Sequence, residues 1–220
     1  NNLVEHIPHQ RFPAIARTLC HRRLSIGADG LMVIEEARQG GDFRMLFYNS
    51  DGSQGEMCGN GARCICRYGC ENGLAGETQR VESPSGIVTG ARIDKRDYRI
   101  RLTDPTLIDL DRPAQALGQT WQCAYVELGD PGLPHAAVPC PGLAHRDREE
   151  LRELGRALRH AAAFPKGANV NFYDVRSPQA ILELTYERGV EDFTYACGTG
   201  SGSTVLALTL LGKVTGEDVS

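Results

Sequence analysis

The sequence contains no apolar run long enough to span a membrane, and residues 1–10 lack the apolar centre of a secretion signal. Its net charge of −4 gives no general attraction for nucleic acid or for an anionic membrane surface. The phosphate-binding pattern G-x-x-x-x-G-K-S/T is absent, which argues against a nucleotide-binding loop. We therefore expect a cytoplasmic protein with no nucleic-acid or membrane partner.

Lysine is scarce, and paired cysteines of the metal-binding type are missing. Only Lys95, Lys166 and Lys213 occur among the 24 basic residues, and none lies in a recognisable motif for holding pyridoxal phosphate. The four cysteines of residues 58–70 include no C-x-x-C pair, and three of them fall on one predicted helix. We expect neither a metal site nor a bound cofactor.

Cysteine itself is abundant, with eight residues in a chain of 220. A chain of this length can bury an adequate core as one domain or as two small ones, so it does not need a disulfide framework. Reduced thiols are therefore favoured. Six of the cysteines are expected to be small packing side chains, namely Cys20, Cys64, Cys66, Cys70, Cys123 and Cys140.

Hydrophobic periodicity predicts an α/β protein of the α+β type. Strands are predicted at residues 31–36, 42–49, 80–83, 86–93, 98–103, 121–128, 136–140, 168–175 and 180–188. Helices are predicted at residues 11–24, after the glycines of residues 59–61 with Gly73 at the end, at 147–161 with Asp147 as N-cap, and at 203–212. Residues 103–120 carry two prolines and no clear period, so we place a domain junction there, with domains at 1–110 and 111–220.

The most informative feature is a repeat. Each half of the chain runs from a strand through a polar loop into Cys-Gly-x-Gly and then a helix, once at residues 58–61 and once at 197–200. A cysteine at a helix N-terminus lies at the positive end of the helix dipole, which favours the thiolate. The glycines allow backbone N–H groups to approach a ligand carboxylate.

Two such loops facing one ligand suit a two-base reaction at the α-carbon of an amino acid. One thiolate removes the α-proton, and the opposite thiol returns a proton to the other face. Because this proton is a very weak acid, hydrogen-bond donors aimed at the carboxylate must stabilise the charge that develops in the transition state.

With both loops in view, the chain resembles the diaminopimelate epimerases, which are two-cysteine amino-acid racemases. The matching stretches cover most of the chain in the family's order: GADGL (27–31), YNSDGSQGEMCGNGARC (48–64), GLPHA (132–136), GANVNF (167–172) and YERGVEDFTYACGTGS (186–201). The resemblance implies two pseudo-symmetric α/β domains with the active site in the cleft between them. It also implies interconversion of LL- and meso-diaminopimelate without a cofactor, in the route to lysine and peptidoglycan.

The resemblance also implies residue roles. Cys58 and Cys197 are the base and the acid, and they exchange roles with the direction of reaction. The reacting carboxylate is held by Gly59, Asn60, Gly198 and Thr199, and His135 and Glu187 form a polar pair beside the reacting centre. The distal end of the substrate is held by Asn49, Asn169 and Arg188. A homodimer is compatible with the sequence, although no stretch identifies an interface.

The chain also departs from the family pattern. It begins beyond the usual first strand and stops at Ser220, where the family continues, so we expect it to be incomplete at both ends. Leu133 replaces an asparagine that contacts the distal end in some members, and Phe193 replaces an acidic residue. Two alternatives stay open: a racemase of another amino acid, such as histidine, or an inactive binding relative.

Overall fold

A computed structural model describes residues 1–55 and 57–220, with all their side chains except those of Val4 and Glu5. Glu56, which belongs to the matching stretch at residues 48–64, lies outside the described residues. The chain divides into two compact units, Asn1–Thr103 and Asp104–Ser220. The sequence pattern places the division at residue 110, but the structure places it between Thr103 and Asp104. A single strand, Pro105–Ala116, continues through residue 110.

The first unit is built on one six-stranded sheet. Its strands are β1 (Gly30–Glu35), β2 (Phe43–Asn49), β3 (Gln54–Gly55), β4 (Thr78–Ser83), β5 (Gly86–Arg92) and β6 (Tyr98–Arg101). Their order is β1-β2-β4-β5-β6, with β3 paired to β2. Neighbours are antiparallel except β2 and β4, which run parallel.

Helices cover the faces of this sheet. They are α1 (Asn2–Glu5), α2 (Phe12–Cys20) and α3 (Gly59–Glu71). The apolar stripe of α2 buries Phe12 and Ala16 in a cluster with Leu46 of β2. α3 approaches the sheet so closely that a Cβ on Gly69 would lie 2.7 Å from the ring of Phe43. As predicted, Gly73 follows this helix in the left-handed conformation, at φ 68°.

The helix predicted at residues 11–24 is shorter than expected. α2 ends at Cys20, and His21 is already extended. The Nδ1 atom of His21 faces the backbone N–H groups of Arg23 and Leu24 at 3.3 and 3.2 Å. These local hydrogen bonds give the backbone an alternative to another helical turn. The helix therefore ends at Cys20, before the end of the periodic apolar pattern from which it was predicted.

The second unit also contains one six-stranded sheet. Its strands are β7 (Pro105–Ala116), β8 (Gln119–Leu128), β9 (Leu133–Pro139), β10 (Asn169–Ser177), β11 (Ala180–Glu187) and β12 (Asp192–Phe193). Their order is β12-β11-β10-β9-β8-β7. Neighbours are antiparallel except β9 and β10, which run parallel.

Two helices belong to this sheet, α4 (Arg148–Arg159) and α5 (Gly198–Leu210). α4 buries its leucines in an apolar core with Tyr125, Phe172 and Tyr186. α5 packs against β8, β9 and β10. The N-cap prediction at Asp147 is confirmed, since its carboxylate accepts the N–H groups of Glu149 and Glu150 at 2.8 and 3.0 Å. Within the described ranges, no helix has the length and apolar character needed to cross a membrane.

Residues 103–120, which showed no clear period in the sequence, are mostly the strand β7, and the division between the units lies at the start of this stretch, between Thr103 and Asp104. Its two prolines conceal the strand. Pro105 is the first residue of β7, and Pro113 lies on a strand at the edge of the sheet. Both positions tolerate the missing N–H donor of proline. An irregularity in pairing between Asp109 and Arg112 further interrupts the alternation of side chains.

Candidate active site

Cys58 lies at the N-terminus of α3, which begins within the first Cys-Gly-x-Gly motif. It is the N-cap of α3, with an extended backbone, and its Sγ accepts the N–H of Gly61 at 3.3 Å. Cys58 is half-buried, Gly59 is buried and Asn60 is exposed. The motif therefore presents a partly accessible sulfur and the N-terminal N–H groups of a thirteen-residue helix.

Asn49 is the last residue of β2 and shapes the turn that follows it. Its Nδ2 donates to the hydroxyl of Ser53 at 2.9 Å, and its backbone N–H donates to the carbonyl of the same residue at 2.8 Å. The carbonyl of Asn49 accepts the N–H of Gly52. Within this unit Asn49 thus has a structural role, and its contact with a substrate stays a prediction.

Cys197 occupies the matching position in the second unit. It is the N-cap of α5, also a helix of thirteen residues, and it is only 9% exposed. Its Sγ lies 3.5 Å from the hydroxyl of Thr199. Burial raises the pKa of the Cys197 thiol to about 12, and the nearby Glu187 carboxylate acts in the same direction.

At Cys197 the effect of the helix N-terminus on the thiol pKa is smaller than the effect of burial. The Thr199 hydroxyl and the N–H of Gly200 do lower its pKa, but burial outweighs both. Removal of a sulfur from water disfavours the charged form, whereas the helix dipole is a modest effect. Burial of its sulfur thus favours the protonated form of Cys197.

His135 lies on a strand, although the strand predicted from the sequence begins only at residue 136. It is the third residue of β9 and only 1% exposed. The hairpin partner β8 orders the segment, pairing Val126 with His135. Burial lowers the pKa of His135 to about 3, and the positive charge of Arg188 adds to the effect. The imidazole is therefore neutral near pH 7.

Asn169 and Arg188 are joined at the same end of the sheet as His135. Asn169 pairs with His135 in the β9–β10 register and donates from Nδ2 to the Pro134 carbonyl at 3.2 Å. Its Oδ1 accepts the backbone N–H of Arg188 at 2.8 Å. The Arg188 guanidinium in turn donates to the backbone oxygen of Lys166 at 3.4 Å. These bonds hold both side chains close to the histidine.

Two hydrogen-bonded groups of polar residues in this unit, around Asn171 and around Glu183, were not singled out from the sequence. Asn171 is fully buried on β10, where its Nδ2 lies 3.3 Å from His135 Nδ1 and its Oδ1 accepts the Thr185 hydroxyl at 3.0 Å. The Glu183 carboxylate accepts hydrogen bonds from the hydroxyl groups of Ser201 and Thr204 on α5, each at 2.6 Å. The alternation of polar and apolar residues in NVNF (169–172) is the signal that could have indicated Asn171.

The second unit thus brings together five of the residues predicted from the sequence. His135 and Asn169 lie at the amino ends of β9 and β10, Glu187 and Arg188 at the carboxyl end of β11, and Cys197 at the start of α5. Glu187 and Arg188 are half-buried, and the helix continues from Cys197 into buried Thr199.

The two departures from the family pattern have structural roles. Phe193 packs edge-on against Tyr186 and Phe172, with centroid separations of 5.9 and 6.5 Å, so it belongs to the apolar core of this unit. Leu133 is buried and pairs with Leu128 where β8 and β9 begin their hairpin. The guanidinium groups of Arg148 and Arg152 lie 5.8 and 5.7 Å from the centroid of the Phe193 ring.

The remaining cysteines mostly agree with their predicted packing role. All eight cysteines are free, and four of the six with a predicted packing role are buried, namely Cys20, Cys66, Cys123 and Cys140. Cys70 is half-buried beside the Arg92 guanidinium, 3.7 Å from its sulfur. The prediction for Cys64 is wrong, since it lies on the exposed face of α3.

Comparison with solved structures supports the architecture. The chain aligns with a hydroxyproline epimerase from Agrobacterium vitis with bound trans-4-OH-L-proline, at a TM-score of 0.67 and 18% identity, covering 90% of this chain and 65% of that one. It also aligns with a phenazine biosynthesis protein of the PhzF family from Bacillus anthracis, at a TM-score of 0.65 and 13% identity, covering 93% and 71%. Both likenesses show the fold, which is a two-unit α/β architecture.

Comparison of sequences identifies the family. The diaminopimelate epimerase family model matches residues 2–106 and 129–220. The diaminopimelate epimerase of Chlorobaculum tepidum is 38% identical over 201 residues, or 90% of this chain and 74% of the relative. That of Aquifex aeolicus is 35% identical over 207 residues, or 93% and 72%. The chain belongs to the diaminopimelate epimerase family.

Proposed function

We propose that this protein interconverts LL- and meso-diaminopimelate by moving the α-proton between Cys58 and Cys197. One observation carries the proposal: both motif cysteines are N-caps of thirteen-residue helices in a chain of the diaminopimelate epimerase family. The pathway is then that of lysine and peptidoglycan precursors. The reaction belongs in the cytoplasm, where thiols stay reduced.

The proposed chemistry balances without a cofactor. The thiolate of one cysteine takes the α-proton, and the thiol of the other delivers its own proton to the opposite face of the same carbon. The N-terminal N–H groups of α3, at Gly59 and Asn60, and of α5, at Gly198 and Thr199, are assigned to the reacting carboxylate. There they stabilise the negative charge that grows on its oxygens in the transition state.

The raised pKa of the Cys197 thiol supports one assignment of the starting roles. Since burial holds its pKa at about 12, Cys197 carries the proton that is to be delivered. The thiolate role then falls to Cys58, which is half-buried and accepts a backbone N–H at its sulfur. After one turnover the proton has changed sides, so the two residues exchange roles in the reverse reaction.

The other residues are assigned to orientation of the substrate. Neutral His135 and the Glu187 carboxylate lie beside the reacting centre, where Glu187 suits the α-ammonium group. Asn169 and Arg188 bind the distal amino-acid end, because a guanidinium can hold a carboxylate with two parallel hydrogen bonds. Asn49 is assigned to the same distal end.

The test is isotope exchange by the full chain, reduced, in deuterated water without pyridoxal phosphate. Incubated with LL-diaminopimelate, the protein should introduce deuterium at one α-position as the meso isomer appears, detected by mass spectrometry and chiral chromatography. Folded, reduced protein that exchanges no deuterium would overturn the proposal. Exchange into histidine but not into diaminopimelate would instead establish a racemase of another amino acid.

Cysteine variants test the two-thiol assignment. Cys58→Ala and Cys197→Ala should each reduce exchange by at least about 100-fold, because each removes a group that transfers the proton. Cys64→Ala is the matched control, since it removes an exposed thiol from the same helix that Cys58 caps. A Cys197→Ala variant with full activity would contradict the assignment.

A further inference from the structure

A chain of buried hydrogen bonds leads from β11 to the imidazole of His135. Thr185 Oγ1 lies 3.0 Å from Asn171 Oδ1, and Asn171 Nδ2 lies 3.3 Å from His135 Nδ1. All three residues are almost completely buried, at 4%, 0% and 1% exposure. A buried polar group without a hydrogen-bond partner is energetically costly, so each donor in such a chain is expected to face an acceptor.

The start of α5 fixes which way the Asn171 amide points. A Cβ built on Gly200 would lie only 2.5 Å from Asn171 Oδ1, so a Cα–H bond of Gly200 is directed at that oxygen. An oxygen can accept a weak Cα–H···O hydrogen bond. An NH₂ group at the same place would instead direct its own hydrogens at the hydrogen of Gly200. The Thr185 hydroxyl donates to the same oxygen, and the NH₂ group is left facing the histidine.

The other ring nitrogen, Nε2, is buried. Among the residues that the structure describes, His135 Nε2 is buried without a hydrogen-bond partner. A neutral imidazole has one N–H and one acceptor nitrogen, and Nδ1 is already the acceptor of the Asn171 amide. The proton must therefore be on Nε2, where it is an unused donor.

We infer that Asn171 is a positioning residue, which holds His135 in the Nε2–H tautomer so that the imidazole donates to an acceptor on the bound amino acid. The inference rests on the proposed function for the identity of that acceptor. On this assignment His135 is a fixed neutral donor and takes no part in proton transfer. Burial and the Arg188 charge, which lower the pKa of His135, keep a second proton off the ring.

The first test is spectroscopic and needs no substrate. Long-range ¹H–¹⁵N correlation of the uniformly ¹⁵N-labelled full chain at about pH 7 distinguishes the two tautomers and the imidazolium. His135→Gln identifies the signal by its loss. We expect a protonated Nε2 and an unprotonated Nδ1. A proton on Nδ1 in the unmodified protein would overturn the inference.

The second test changes the partner of the ring. Asn171→Asp keeps the shape and the acceptor for Thr185 but replaces the NH₂ donor with a carboxylate oxygen, so Nδ1 should become protonated. Activity should fall by about tenfold or more through kcat, with less effect on KM. Thr185→Val is the matched control, because it removes a buried hydrogen bond of the same network but leaves Asn171 beside the ring. It should keep the Nε2–H tautomer.

The outcomes separate this inference from the proposed function. If Thr185→Val also moved the proton to Nδ1, the tautomer would depend on any change in this hydrogen-bond network. The specific role of Asn171 would then be refuted. Should the tautomer behave as expected while no variant, nor the unmodified protein, exchanges deuterium into diaminopimelate, the proposed function fails and the positioning role of Asn171 stands.

Discussion

Substitution of the last glycine in each Cys-Gly-x-Gly motif should have different consequences in the two units. In Gly200→Ala the new methyl group would lie 2.5 Å from Asn171 Oδ1 and 3.2 Å from Cys197 Sγ. Asn171 is fully buried and hydrogen-bonded on both sides, so it cannot move away without loss of those bonds. In Gly61→Ala the nearest atom is the sulfur of Met32, at 2.7 Å, at the flexible end of its side chain.

These contacts set the expected energies. Overpacking costs about 1–3 kcal/mol, and a buried polar group left without its partner costs about 1–3 kcal/mol more. Alanine in place of glycine inside a helix stabilises the folded state by about 1 kcal/mol. Gly200→Ala should therefore lower the free energy of unfolding of its unit by about 1–5 kcal/mol. Gly61→Ala should change that of its own unit by less than about 1 kcal/mol, because Met32 can move.

The single tryptophan provides the assay. Trp121 lies on β8 in the second unit, where its ring packs against the apolar core, so its fluorescence follows the unfolding of that unit in urea. With a urea dependence of about 1–3 kcal/mol/M, Gly200→Ala should lower the midpoint by about 1 M. Gly61→Ala lies in the first unit, so its effect is measured by amide hydrogen exchange of that unit, with Gly76→Ala, where a Cβ meets no atom within 4 Å, as its control. An unchanged or higher midpoint for Gly200→Ala would refute the argument.

Three further predictions concern pH, thiol reactivity and helix capping. The pKa of His135 is about 3 in the fold and about 6.5 in an unfolded chain, so the unfolded state binds more protons between these values. Stability should therefore fall as the pH drops through this window, by up to about 1.4 kcal/mol per pH unit, and urea midpoints of His135→Gln should fall less steeply. Exposed Cys64 should react with a maleimide in the native protein, whereas Cys123, whose pKa burial raises to about 12, should react only on unfolding, as peptide mass mapping would show. Asp147→Ala should cost about 1 kcal/mol, read from Trp121 fluorescence, and no loss would contradict its capping role.

Local patterns in the sequence predicted much of the fold. The strands β1, β2, β10 and β11 and the helices α3 and α4 are confirmed, because alternation and helical periodicity reflect which side faces the core. The errors are also local in origin. Prolines concealed β7 and the start of β9, although an edge position and a strand end both tolerate them.

The candidate site was only partly predictable. The repeat of strand, loop, Cys-Gly-x-Gly and helix indicated Cys58 and Cys197 and the helix N-termini beside them. It did not indicate Asn171, since a single asparagine in a strand looks like any polar residue until its neighbours are known. Nor did it indicate that burial raises the pKa of the Cys197 thiol, because the motif contains the helix dipole but not the depth of burial.

The sequence by itself determined the two cysteine-capped helices and the strands that precede them, because capping, periodicity and turn formation depend on residues only a few positions apart. The tertiary structure decided the protonation of the site. Asn171 meets His135 across 36 residues and Thr185 across 14, through the register of three neighbouring strands. Burial and hydrogen bonding between such distant residues set the charge of a thiol or an imidazole, and they exist only once the sheet has formed.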